Sequence, residues 1–199
     1  YKYFDTYIWK EDSTNYYYFE WIPKVDENIK EVHFPDSFVC EDKDGYSTIP
    51  YMQGVLIPNR YDYDYSKIAF DGQLTSCAAY MPWLSQTNEN KGYIAINLTP
   101  WDSKYTIDHD EKGTRLQFVW LTSLGKMRYK RVVRYSFESN MDYNRAAKIY
   151  RSYVKETGLF KSLKEKEINL NQISDLQQCA VVHTGIKAHT EKDSRFYNG

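Results

Sequence analysis

The period of the hydrophobic pattern changes once along this chain, at Asp142, and that change limits the fold more than any single motif. Before it, short runs rich in Tyr, Phe, Trp, Ile and Val alternate with turn signals, the pattern of successive strands. After it, Tyr143, Ala146, Ala147, Tyr150 and Val154 recur at helical spacing, behind Asp142 as N-cap and ahead of Gly158 as C-terminal stop. A second short helix is expected from about Leu159 to Glu167, and Ile173 to Leu176 adds a helical turn. The expected fold class is mostly β: a large antiparallel two-sheet (super)sandwich with a C-terminal helical connector and a short terminal strand.

Along the β part, Tyr1–Lys10 and Asn15–Ile22 read as strands around the turn Glu11–Thr14. Glu31–Cys40 contains Pro35 and reads as an edge or a bend. Tyr51–Ile57, Leu74–Tyr80 and Gly92–Leu98 are further strands. The polar segment Met81–Lys91 between the last two reads as a long exposed loop rooted on Trp83. Thr114–Leu121 and Met127–Phe137 read as a hairpin around Ser123–Lys126. In its second arm Met127, Tyr129, Arg131, Val133 and Tyr135 share a buried face, leaving Arg128, Lys130, Val132, Arg134 and Ser136 on a wet, basic one.

Twenty Tyr, nine Phe and five Trp among 199 residues favour two-sided sheets with amphipathic surfaces, and aromatic faces also suit sugar rings. Twenty-six basic against 27 acidic residues give a formal net charge of -1, without the basic excess of a nucleic-acid binder. No apolar run is long enough for a transmembrane helix. Cys40, Cys77 and Cys179 have no zinc-type spacing and read as buried thiols, with one disulfide open in an oxidising compartment. The chain starts at Tyr1 without an initiator Met or a signal sequence, so it reads as a piece whose targeting signal lies outside it.

The run Cys179–Val182 reads as a strand buried on both faces, as in a parallel sheet. As the first strand of a barrel it would bring His183 to the C-terminal end, where active-site groups sit. The segment Asp142–Tyr153, followed by Glu156-Thr157-Gly158-Leu159 and Ser162–Lys166, resembles the connector of bacterial glycoside hydrolases. Those enzymes join an N-terminal galactose-mutarotase-like β-supersandwich to a (β/α)8 barrel, and the endo-α-N-acetylgalactosaminidase-like enzymes are among them. Met81-Pro82-Trp83, Gly92–Ile96 and Thr99-Pro100-Trp101-Asp102 are similar to the sandwich part.

The resemblance runs from Thr75 to Gly185. It implies a sandwich over 1–140, a connector over 141–176 and the truncated start of a barrel over 177–199. The family's catalytic carboxylates lie on later barrel strands, so no catalytic residue is assigned here and the chain alone is expected to be inactive. The implied partners are carbohydrate, through the parent enzyme, and the missing barrel, in a protein exported by a bacterium.

Trp83, Trp101, Asp102 and His183 are the candidate substrate-binding residues. A sugar site needs a flat aromatic for the C–H face and a carboxylate or imidazole for hydroxyls. Asp62 and Asp64, alternating with Tyr61, Tyr63 and Tyr65, share a strand face that could suit Ca²⁺. Without further oxygen ligands they read as a wet surface, and no metal or cofactor is expected. His109 reads as a solvated turn residue and His33 as a strand residue. Two other functions fit the composition: a free-standing carbohydrate-binding module, and an interaction domain without sugar affinity.

Overall fold

The computed structural model describes residues 2–25, 29–40, 44–51, 54–59, 73–75, 81–110 and 113–168. The chain divides into two compact units, Tyr1–Glu156 and Thr157–Gly199.

The first unit is a two-sheet antiparallel sandwich. Seven strands, β1 (Phe4–Lys10), β2 (Tyr16–Pro23), β5 (Tyr46–Ile49), β6 (Val55–Pro58), β8 (Trp83–Asn88), β9 (Lys91–Asn97) and β12 (Arg131–Glu138), form one sheet in the order β1-β2-β12-β9-β8-β5-β6. The second sheet runs β3 (Glu31–His33), β11 (Gly113–Leu121), β10 (Ser103–Asp110), β7 (Gln73–Thr75), with β4 (Val39–Cys40) also paired to β11. The mostly-β sandwich expected from the sequence is the fold observed.

Aromatic residues at alternate positions build the core. Trp21, Tyr135, Tyr93 and Leu84 face Leu116, Phe118, Trp120 and Tyr105 of the other sheet, all 6% exposed or less. The β1–β2 hairpin forms where aromatic runs flank a polar turn. The Thr14 amide and hydroxyl close that turn on the Glu11 carbonyl, and Ser13 takes a left-handed φ of 63°.

Met81–Lys91 is not a loop. Residues 83–88 form β8, next to the centre of the large sheet, and Ser85, Gln86 and Thr87 are buried. The polar run enters the interior because its central residue is bonded. Gln86 Nε2 donates to the Thr114 carbonyl of the facing sheet at 2.7 Å and to Ser47 Oγ at 3.2 Å. Its Oε1 accepts from the Tyr93 hydroxyl at 2.6 Å. A buried amide so satisfied loses little by leaving water.

Gly92 lies opposite Thr87 in this region. A Cβ there would overlap the Gln86 carbonyl oxygen and press on Met141 Cγ at 3.0 Å. Backbone cannot swing aside as a side-chain tip can, so Gly92→Ala is expected to destabilise the fold by about 3 kcal/mol, at the upper end of overpacking effects. Chemical denaturation of the two proteins checks this, and an unchanged midpoint would contradict it.

The expected hairpin of Thr114–Leu121 with Met127–Phe137 is also corrected. β11 belongs to the small sheet, while β12 lies between β2 and β9 in the large one. The turn at Ser123–Lys126 closes on itself with a two-residue bridge, and the chain then crosses between sheets. The basic face of β12 is not wet either: Val132, Arg134 and Ser136 are buried. The Arg134 guanidinium lies 4.1 Å from the Tyr16 ring centre and 4.7 Å from that of Tyr153. His109 stands in β10 opposite Thr114, not in a turn, and β5 and β10 are strands that the sequence reading passes over.

Helix α1 (Tyr143–Glu156) lies on the outer face of the large sheet. Asp142 Oδ1 accepts from the Arg145 amide at 2.6 Å, the expected cap, and Gly158 follows with φ 72°. The buried stripe is rotated from the expected one: Ala146 and Ile149 are buried and Tyr150 and Tyr153 half-buried, while Tyr143 is exposed. The second unit contributes α2 (Leu163–Glu167), capped by Ser162, whose Oγ accepts from the Glu165 amide while Glu165 reaches back to the Ser162 amide. Asp62, Asp64, Cys77, Cys179, the run to Val182 and His183 lie outside the described residues.

Candidate functional site

The turn Leu98–Asp102, between β9 and β10, gathers a set of directed polar contacts at the surface. Its local sequence explains its shape. Asn97 Oδ1 accepts from the Thr99 amide at 3.0 Å, an Asx turn. Ser103 Oγ donates to the Pro100 carbonyl at 2.6 Å and accepts from Asn97 Nδ2 at 3.2 Å. Thr99 Oγ1 accepts from the Val132 amide at 3.0 Å, tying the turn to β12. Asp102 has φ 48°, a left-handed conformation for which Asp is among the better-suited residues after Gly. Its carbonyl accepts from the Leu121 amide at 2.7 Å, which holds that conformation.

Beneath the turn lies Arg131, with no exposed surface. Its guanidinium donates to the Trp101 carbonyl at 3.1 Å and to the Leu121 carbonyl at 3.0 Å. The guanidinium carbon lies 3.5 Å from the centre of the Tyr129 ring. The single hydroxyl proton of Tyr129 is shared between the Trp101 carbonyl at 3.1 Å and Asp102 Oδ2 at 2.9 Å. Burial pushes the Tyr129 phenol up, despite the opposing charge of Arg131, so it stays a neutral donor. The main chain is clamped on both sides, yet the Trp101 side chain is 67% exposed. The arrangement is an exposed indole on a clamped main chain, beside a carboxylate whose Oδ1 has no partner among the described residues.

Trp83 is placed otherwise. It is 4% exposed and packs with Ile94, Ile96 and Ala146 between the sheet and α1, its ring centre 6.2 Å from that of Tyr150. The Asn97 amide donates to the Pro82 carbonyl, so Trp83 and the Trp101 turn share one end of the sheet. Trp83 points inward there and Trp101 outward. Of the four candidates, Trp83 is buried, Trp101 is exposed beside its sequence neighbour Asp102, and His183 lies outside the described residues.

Arg131 and Tyr129 were not among the sequence candidates. One signal for Arg131 existed: a lone charge on a strand face otherwise made of Met127, Tyr129, Val133 and Tyr135 must have partners waiting for it. Among the described residues no group of three or more His, Cys, Asp or Glu could hold a metal ion.

A second polar cluster lies on the small sheet. Glu31 accepts from His33 Nε2 at 3.0 Å and from Lys104 Nζ at 2.9 Å. These two bonds, the imidazole first, hold the Glu31 carboxyl at about 2. A folded value below the unfolded one stabilises the protein at pH above about 4.5, and that stabilisation fades as pH falls towards about 2. In Lys104→Met the carboxyl should titrate measurably higher by NMR than in the parent. An unchanged titration would mean that Lys104 contributes nothing to it.

The fold is a two-sheet β-sandwich, and it resembles a portion of a solved glycoside hydrolase. The chain is similar over 98% of its length, at 36% identity and TM-score 0.79, to ligand-free alpha-N-acetylgalactosaminidase NagBb from Bifidobacterium bifidum. The same enzyme in its Gal-NHAc-DNJ complex matches over 98% with TM-score 0.80, and in its GalNAc complex over 87% with TM-score 0.77. The chain spans 29% to 33% of the length of these structures. No family model and no curated protein matches the chain.

Proposed function

We propose that the chain is the N-terminal, non-catalytic β-sandwich of an exported glycoside hydrolase, one that acts on glycans carrying α-linked N-acetylgalactosamine. In this reading the sandwich packs on a (β/α)8 catalytic barrel. The barrel carries the carboxylate pair, one as acid and one as nucleophile or base. Residues 1–140 are the sandwich, 141–176 the connector and 177–199 the first barrel segment, with His183 in a position to bond a substrate hydroxyl. The Trp101–Asp102 turn presents a sugar contact. Among the described residues no helix is long and apolar enough to cross a membrane.

One observation carries the sugar contact: Trp101 is exposed while its own carbonyl is held by Arg131 and Tyr129. A main chain held in place before binding leaves less of the turn to be ordered when a ligand arrives. Likeness to an N-acetylgalactosaminidase names the sugar to try first. The chain is expected to bind N-acetylgalactosamine saturably, read by tryptophan fluorescence, and to release no sugar from α-N-acetylgalactosaminides. Absence of binding across a glycan panel would leave the sandwich as a scaffold for the barrel. Hydrolysis by the chain alone would overturn its non-catalytic role.

A further inference from the structure

A groove of about 330 Å³ lies on the outer face of the large sheet, between the start of α1 and the β5–β6 edge. It is lined in part by Thr48, Leu56, Met81, Trp83, Tyr143 and Ala147. The register shows that its sheet residues share that face. Thr48 stands opposite Leu56 on one side and Ser85 on the other, and Trp83 is two residues before Ser85. Residues two apart on a strand point the same way. Their neighbours Ile49 and Leu84 point into the sandwich core. The hydroxyl of Tyr46, two residues before Thr48, accepts from the Tyr143 amide at 3.2 Å, which seats the start of α1 on this face. The helix is one wall of the groove, the β6 edge is the other, and β5 and β8 are the floor.

The floor carries two polar atoms without a match. Trp83 Nε1 and Thr48 Oγ1 are buried and have no hydrogen-bond partner among the described residues. Buried polar atoms are nearly always paired, so two beneath one groove point to a partner that the groove admits. Apolar walls with a few directed polar groups are the usual composition of a small-ligand site. The rim is loose, with Leu56, Met81 and Tyr143 all exposed. Exposed side chains change rotamer within nanoseconds, so a ligand that turns them aside reaches the floor. The indole N–H only donates and the Thr hydroxyl is able to donate, while one carbonyl oxygen has two lone pairs to accept both. No lining residue is charged, which selects an uncharged occupant.

We propose that this groove binds a small uncharged molecule with an apolar body and one carbonyl group, whose oxygen accepts from Trp83 Nε1 and Thr48 Oγ1. The site goes beyond the saccharide contact at Trp101 and does not depend on it. Its test titrates the whole labelled chain with acetophenone, an apolar ring bearing one carbonyl, and follows the tryptophan indole N–H signals by NMR. A saturable downfield shift of the Trp83 signal, with Trp101 in place, is the result expected.

Thr48→Val keeps the branched shape and removes the hydroxyl. It is expected to weaken acetophenone binding about five-fold, the effect of one hydrogen bond. Without ligand it should not lower the denaturation midpoint, because that hydroxyl has no bond to lose. Ala147→Phe, at an exposed position of α1, should fill the groove and abolish the Trp83 shift. A Trp83 signal unmoved by acetophenone in the parent chain would overturn the site. Binding that stays at the parent affinity in both variants would place the ligand elsewhere and overturn it too. A lowered midpoint for ligand-free Thr48→Val would show the hydroxyl to be bonded already, and would overturn its part in the site.

Discussion

Arg131→Met should lower the stability of the chain by about 3 kcal/mol, because it removes two charge-assisted hydrogen bonds from a buried guanidinium and leaves a part-buried carbonyl unmatched. The Trp101 carbonyl would keep its share of the Tyr129 hydroxyl, but among the described residues no other bond to the Leu121 carbonyl is seen. The ring of Tyr129 would lose a cation 3.5 Å from its centre, an interaction of about 2 kcal/mol when desolvated. Against these stands the energy regained by no longer burying a guanidinium, whose Nε has no partner among the described residues. Replacing buried ions by apolar groups is sometimes neutral for that reason. Here the loss is expected to win, since the carbonyls and the ring stay behind. For a unit of this size the midpoint should fall by roughly 6–12 °C. Arg131→Lys should recover less than half of the loss, because a single ammonium cannot bridge both carbonyls as the planar fork does. A midpoint within about 1 °C of the parent for Arg131→Met would show that desolvation cancels the bonds.

Trp101→Ala should do the opposite, leaving stability within about 0.5 kcal/mol of the parent, as surface substitutions do. Its side chain is two-thirds in solvent, and the hydrogen bonds of the turn run through its carbonyl, which Ala retains. Its expected effect is on binding, with affinity for N-acetylgalactosamine falling about thirty-fold, the roughly 2 kcal/mol of a hot-spot aromatic. Equal loss of stability and binding would mean that the ring supports the turn rather than meets a ligand. Comparison with Arg131→Met separates the two parts of the device. That substitution should loosen the main chain that carries the indole, and so weaken binding, even where the protein is still folded.

Local signals were enough for the elements whose physics is local. The β1–β2 hairpin is legible because dense aromatic runs flank Glu11–Thr14, and α1 because Asp142 and Gly158 mark its ends. The rotation of its buried stripe was not legible. Tyr143 enters the helix with its amide bonded to the Tyr46 hydroxyl, a contact 97 residues away in sequence, and its ring stays outside.

β8 was hidden for a related reason. Ser85-Gln86-Thr87 carries no apolar pattern, and its burial depends on acceptors and donors supplied by Thr114, Ser47 and Tyr93. The β11–β12 segment has the local form of a hairpin. What separates its arms is the pairing of β12 with β2 and β9, which no turn residue encodes. At the rim, the Pro-Trp pattern marks both Trp83 and Trp101. Only the register of β8 tells them apart, by sending Trp83 under α1. Arg131 lies thirty residues from Trp101, so the clamp appears only once the sheets are assembled.

The most direct test of the central claim follows the five tryptophan indole N–H signals of the labelled chain by NMR while N-acetylgalactosamine is added. Trp21, Trp83 and Trp120 are at most 4% exposed, Trp9 is half-exposed but stacked on Tyr18 at 4.0 Å, and Trp101 is open to solvent. A saturable shift of the Trp101 signal, with Trp21, Trp83 and Trp120 unmoved, is the result expected. A Trp101 signal that stays in place at saturating sugar, or a shift confined to Trp9, would contradict it.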